Sequence, residues 1–206
     1  MPARPAPRRH AARKTPAGPP FRVGHGYDLH RLEPVPPAGD GRALVVGGVH
    51  LEHDRGPIAH SDGDALMHAV TDAILGALGL PDIGELFPDT DPRWSGQASH
   101  AFLEHAAGLA RQAGYAITNI DATVILERPK VAPHKAAMRA NIAKALGIDP
   151  SRVNVKGKTH ERVDAVGEGR AVEAHAVALL RFVSARRASA AAAPRPRAKG
   201  RRRPGP

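Results

Sequence analysis

The 206-residue chain predicts an α+β fold, a single domain built on one mixed β-sheet with helices packed on one face. Three observations carry this expectation. Segments run strand, strand, helix, helix, strand, helix, strand, strand, so helices are grouped between β segments rather than alternating strictly with them. Leu66, Val70, Ile74 and Leu78 form an apolar stripe at helical spacing, with Met67, Thr71 and Leu75 beside it. Val153 and Val155 alternate with Asn154, Lys156 and Lys158, the period of a strand with one wet and one buried face.

Taken in order, residues 21–30 and 43–51 read as strands, the second broken at Gly47–Gly48. Residues 64–79 are a helix, with Asp62 just ahead as its N-cap. A second helix covers 99–113 and is closed by Gly114. The longest strand is 115–127, followed by a helix over 133–146 that Gly147 ends, then strands at 153–159 and 171–183. No internal repeat is visible.

The formal charge of +10 resembles that of a nucleic-acid binder, but its distribution does not. Arg4, Arg8, Arg9, Arg13 and Lys14 lie in 1–20, and eight more basic residues lie in 184–206, with no acid in either segment. The intervening 21–183 holds 17 basic and 20 acidic residues, a net of −3. Both ends lack aromatics and carry half of the 20 prolines, so they read as disordered tails flanking one domain at 21–183. The first tail is Arg-rich like a transit peptide, yet it has no Ser, no amphipathic pattern and no signal-peptide apolar stretch. No run approaches the roughly 18 apolar residues of a membrane span, and a soluble, cytoplasmic protein is expected. With no Cys, disulfides, thiolate metal sites and Cys nucleophiles are excluded, and any metal falls to His, Asp or Glu.

Asp28 and His30 stand at i and i+2 in an extended segment, so a carboxylate and an imidazole project to one side. Such a pair supplies two of the three protein ligands of an open tetrahedral zinc site, or equally a surface salt bridge. Asp64, His68 and Asp72 follow at i, i+4 and i+8, a polar edge along the apolar stripe. His68 reads as a third ligand or as an ordinary boundary histidine. Spacing alone leaves these readings open.

Five segments then occur together and in order: 24–30 (GHGYDLH), 59–64 (AHSDGD), 82–84 (DIG) with 87–91 (FPDTD), 128–130 (RPK) with Pro133 and His134, and 154–156 (NVK) leading to Thr159 and Glu161. This constellation resembles the 2-C-methyl-D-erythritol 2,4-cyclodiphosphate synthase family of the non-mevalonate isoprenoid pathway, over residues 22–181. The resemblance implies a zinc-dependent lyase that turns 4-diphosphocytidyl-2-C-methyl-D-erythritol 2-phosphate into the 2,4-cyclodiphosphate and CMP. There the 2-phosphate attacks the β-phosphorus of the same molecule. A nucleophile already anionic and already tethered needs neither an activated Ser nor a Cys; geometry and cations suffice.

The resemblance further implies zinc on Asp28, His30 and His68, and Glu161 on a second divalent ion, Mg²⁺ or Mn²⁺, across the phosphates. It gives His60 and Thr159 catalytic roles in positioning the reacting phosphates, with Ser61 and Lys158 beside them. Asp82, Ile83 and Gly84, with Phe87, Pro88, Asp89, Thr90 and Asp91, are implied to cradle the methylerythritol and its 2-phosphate. Without the resemblance, that second segment reads as a turn-rich surface loop. Leu126, Glu127, Arg128, Pro129, Lys130, Val131 and Ala132 are implied to form the cytidine pocket. A homotrimer is implied as well, with active sites between subunits.

Two departures stand out. Many members have Thr where this chain has Lys158, which adds a cation beside the phosphates. Many also read Phe-x-Gly-Arg-Gly-Glu where Ala165, Glu168 and Arg170 stand here, exchanging the acid and the base. In some members this region lines a cavity for an isoprenoid diphosphate; with Glu168 in place of Arg, binding of such an anion in the same way is not expected here. The competing expectations are a zinc phosphohydrolase on the same cluster and a nucleic-acid binder driven by the tails. Against the latter stand the acidic body, seven aromatics and no nucleic-acid motif.

Overall fold

The computed structural model describes residues 18–183 except 89, 92, 93 and 95. Asp89 and nearly all of both basic tails lie outside the described residues. The elements are β1 (Phe21–Pro34), β2 (Val45–Val46), β3 (Val49–His50), β4 (Arg55–Pro57), α1 (Ala65–Leu78), α2 (Ile83–Leu86), α3 (His100–Gln112), β5 (Tyr115–Ile125), α4 (Lys135–Leu146), β6 (Val153–Lys158), α5 (Asp164–Gly167) and β7 (Ala171–Phe182).

Five strands form one sheet in the order β4-β1-β7-β5-β6. β1 and β7 pair antiparallel from Phe21↔Arg181 to Arg31↔Ala171, and β5 joins β7 antiparallel. β5 and β6 run parallel, with α4 between them in sequence, so the sheet is mixed as the sequence predicts. α1 crosses β1 and β7, α3 lies against α1 and β5, and α4 lies on β6. The core lies between these helices and the sheet, with Leu66, Val70, Ile74, Leu103, Met138 and Ile142 fully enclosed. On β1 the alternation is sharp. Gly24 and Gly26 are buried toward α1, whereas Val23, His25, Tyr27 and Leu29 are exposed on the other face.

α1 approaches β1 closely because two residues there have no side chain. A Cβ on Gly24 would stand 2.0 Å from the Ala73 carbonyl oxygen, and one on Gly26 would stand 1.9 Å from that of Ala69. Ala69, Ala73 and Ala77 present the matching small face of the helix.

Three expectations are corrected. Asp64, not Asp62, caps α1: its side chain accepts from the Met67 N–H at 3.0 Å. Gly63, at φ +69°, moves the cap on by two residues and the helix start by one. The strand expected over 43–51 is only the short β2–β3 hairpin, because Gly47 and Gly48 at φ +57° and +69° reverse the chain. The third helix opens with a 3-10 turn, Ala132–His134, before α4 proper. The remaining helix ends follow expectation, with Gly79 and Gly147 both left-handed.

Candidate active site

Asp28 and His30 project from the helix-facing side of β1, two and four residues beyond the last of the two glycines. His68 descends to meet them from the first turns of α1. The Asp28 Oδ2 lies 3.1 Å from His30 Nε2 and 3.0 Å from His68 Nδ1. The two imidazole nitrogens are 3.2 Å apart. Tetrahedral coordination with bonds of about 2.0–2.1 Å places donor atoms about 3.3 Å apart. All three separations fall within a few tenths of that edge, so the donor set fits one four-coordinate ion with a position left open.

The electrostatics suit a cation. Burial alone would raise the Asp28 carboxyl, but hydrogen bonds and charge from His30 and His68 hold it far below the usual carboxylate range. His68 is pushed up: its burial is outweighed by the hydrogen bond to Asp28 and the charges of Asp28, Asp64 and Asp62. Among the described residues these three form the one group of His and acidic side chains close enough to share an ion. Glu161 does not join it.

The cluster lines a cavity of about 480 Å³ together with His60, Ser61, Ile83, Gly84 and Phe87. α2 is held there by two carboxylates at its N-terminal end. Asp82 caps it by accepting from Glu85 N–H at 2.9 Å, and Asp72 of α1 accepts from Ile83 N–H at 2.8 Å. Phe87 is not a surface-loop residue. It is buried, its ring tilted against Phe102 at 4.8 Å and edge-on to Trp94 at 5.0 Å. Asp91 N–H closes a turn on Pro88 C=O at 3.0 Å around Thr90. Ile58, Trp94 and Phe102 also line this cavity and are not among the residues expected from the sequence; the aromatic character of Trp94 and Phe102, shared with the expected Phe87, is the available signal.

A second cavity of about 310 Å³ takes Leu126, Lys130, Val131, Ala132, Lys158, Thr159 and Glu161, with Lys135 and Gly157 as additions that the motifs did not suggest. The bond from Leu126 N–H to Lys158 C=O at 3.0 Å extends the β5–β6 ladder and sets the 126–132 segment beside Lys158 and Thr159. The Arg128–Pro129 peptide is cis, Arg128 is exposed, and Glu127 is half-buried. Thr159 Oγ1 donates to Glu161 Oε1 at 2.9 Å, and Glu161 itself holds φ +51°. The expected residues that line these two cavities fall in two groups, Asp28, His30, His60, Ser61, His68, Ile83, Gly84 and Phe87 in one and Leu126, Lys130, Val131, Ala132, Lys158, Thr159 and Glu161 in the other, whereas Asp82, Pro88, Thr90, Asp91, Glu127, Arg128 and Pro129 line neither.

A one-sided α+β sheet bearing an open three-donor cluster in a largely apolar cavity is the arrangement of a metal-site enzyme domain acting on a small molecule. The chain belongs to the YgbB family, whose model matches residues 21–181. It is 60% identical over 161 residues to the chloroplastic 2-C-methyl-D-erythritol 2,4-cyclodiphosphate synthase of Arabidopsis thaliana, covering 78% of this chain and 67% of that protein. With the 2-C-methyl-D-erythritol 2,4-cyclodiphosphate synthase of Dechloromonas aromatica it shares 52% over 163 residues, 79% of this chain and 98% of that protein. The structure resembles IspF of Plasmodium falciparum in complex with CDP, with TM-score 0.68 and 38% identity, covering 80% of this chain and 97% of that one.

Proposed function

We propose that the chain converts 4-diphosphocytidyl-2-C-methyl-D-erythritol 2-phosphate into 2-C-methyl-D-erythritol 2,4-cyclodiphosphate and CMP, in the non-mevalonate isoprenoid pathway. The observation that carries this reading is the tetrahedral-edge spacing of Asp28, His30 and His68 inside the cavity that the 59–61 and 83–87 segments complete. Zinc is the ion proposed there, since two imidazoles and one carboxylate suit it, and when bound it supplies Lewis-acid polarisation of a phosphate oxygen. Glu161 is proposed to hold Mg²⁺ or Mn²⁺ with the substrate's phosphates, an oxygen-donor role.

In the reaction an oxygen of the 2-phosphate bonds to the β-phosphorus. The bond from that phosphorus to the bridging oxygen breaks, and its electron pair leaves with CMP. Ser61 and the 82–91 segment, Asp89 included, orient the methylerythritol and the 2-phosphate. His60 and Thr159 hold the reacting phosphates, and Lys158 and Lys130 offset their charge. The 126–132 segment takes the cytidine. Because the two groups of residues line separate cavities, the complete site is proposed to form between subunits of a homotrimer.

Arg170 Nε donates to Glu168 Oε2 at 2.7 Å, so the exchanged pair is engaged with itself, and an isoprenoid diphosphate is not proposed to bind there in the same way as in those members. Residues 1–20 and 184–206 are proposed as passive extensions of a cytoplasmic enzyme. The Arabidopsis relative is chloroplastic, and a reporter fused behind residues 1–20 checks where this chain is delivered.

Incubation with the diphosphocytidyl substrate, Zn²⁺ and Mg²⁺, followed by ³¹P NMR, should show the cyclic diphosphate and CMP. Release of inorganic phosphate instead marks a phosphohydrolase and overturns the reading. His68→Ala should abolish zinc retention and turnover, while Glu161→Gln should keep zinc and weaken the dependence on Mg²⁺.

A further inference from the structure

We infer that Ser99 and Asp62 are positioning residues for His68, fixing which imidazole nitrogen is free to bind a metal ion. The inference rests on the reading of Asp28, His30 and His68 as metal ligands. His68 Nδ1 faces that cluster, and its other nitrogen, Nε2, lies 2.8 Å from Ser99 Oγ. The Ser99 hydroxyl in turn bonds to Asp62 Oδ1, and Asp62 Oδ2 accepts from the Ser99 N–H at 3.0 Å. Ser61 Oγ stands farther from Nε2, at 3.3 Å, and already accepts from Gly63 N–H at 3.1 Å.

The direction of the chain follows from its far end. An ionised carboxylate only accepts, so the Ser99 hydroxyl donates to Asp62 and its oxygen accepts from His68. That fixes a proton on Nε2, so Nδ1, 3.0 Å from Asp28 Oδ2, is the nitrogen that would give its lone pair to a metal ion, the proton it shares with Asp28 being the one displaced.

A second, independent observation points the same way. Ser99 occupies the N-cap position of α3, where a hydroxyl ordinarily accepts from a first-turn N–H. Here it makes no such bond, although it is wholly buried. The hydroxyl serves the histidine 31 positions away rather than its own helix.

The test reads metal affinity in the intact protein, without turnover. Zn²⁺ is titrated against a chromophoric chelator, and Co²⁺ reports ligand geometry through its visible bands. Ser99→Ala should weaken Zn²⁺ about 10–100-fold, with shifted Co²⁺ bands and an unchanged melting temperature of the metal-free protein. Ser99→Thr, which keeps the hydroxyl, should restore both. Unchanged affinity and bands in Ser99→Ala overturn the positioning role alone. No Zn²⁺ binding by the unsubstituted chain overturns the ligand reading beneath it. If Ser99→Ala does not fold, ¹⁵N NMR of the unsubstituted zinc-loaded protein decides: a protonated His68 Nε2 upholds the inference, and a protonated Nδ1 overturns it.

Discussion

Asp64 is wholly enclosed and joins three pieces of chain. Its carboxylate accepts from Gly47 N–H at 2.9 Å, Gly48 N–H at 2.6 Å and Met67 N–H at 3.0 Å, so it caps α1 and clamps the β2–β3 turn onto it. Asp64→Ala removes the cap and strands two further N–H groups, and should cost about 2–4 kcal/mol, measured by urea unfolding; a change below about 1 kcal/mol would mean that water replaces the carboxylate. Sequence reasoning placed this cap two residues early. Asp62 and Asp64 are the same residue type flanking one glycine, and only the approach of Gly47 and Gly48 from a distant turn tells them apart. Asp28 and His30 were legible because strand periodicity is local. Ser99 was legible as a helix start but not as a partner of His68, since that role exists only once α3 packs on α1.

The join between β1 and α1 decides whether the cluster exists at all. His68 precedes Ala69, whose carbonyl oxygen is the atom that a Cβ on Gly26 would meet at 1.9 Å. Gly26→Ala therefore has no room unless α1 lifts away, and lifting it withdraws His68 from Asp28 and His30. We expect Gly26→Ala to cost about 1–3 kcal/mol or more and to weaken Zn²⁺ binding beyond the loss of stability, measured by thermal melts alongside chelator competition. Retained zinc affinity with a lowered melting temperature would show that the helix shifts without moving His68. The long elements were readable because α1 and β6 repeat their pattern over several periods. β4, of three residues, and α2 and α5, of four each, are too short to show any period; pairing and packing create them.

At the scale of the whole molecule, one face of the sheet has no covering layer among the described residues. Phe21, Val23, Tyr27 and Leu29 of β1 and Val177 of β7 are 55%, 67%, 48%, 43% and 41% exposed, on the side opposite the helices. A sheet face with this many exposed apolar side chains, set around His25 and His175, marks an association surface, and the proposed homotrimer would cover it. Val177 pairs in register with His25, between Val23 and Tyr27, so a carboxylate there falls inside the patch. Val177→Glu should dissociate the assembly to monomers by light scattering while circular dichroism stays unchanged. Zinc binding should survive, because Asp28, His30 and His68 all come from one chain. Turnover should fall by about 100-fold or more, because Lys158, Thr159 and Glu161 line a different cavity from that cluster and would meet it only across a subunit boundary. Monomers that keep full turnover would place the complete site within a single chain.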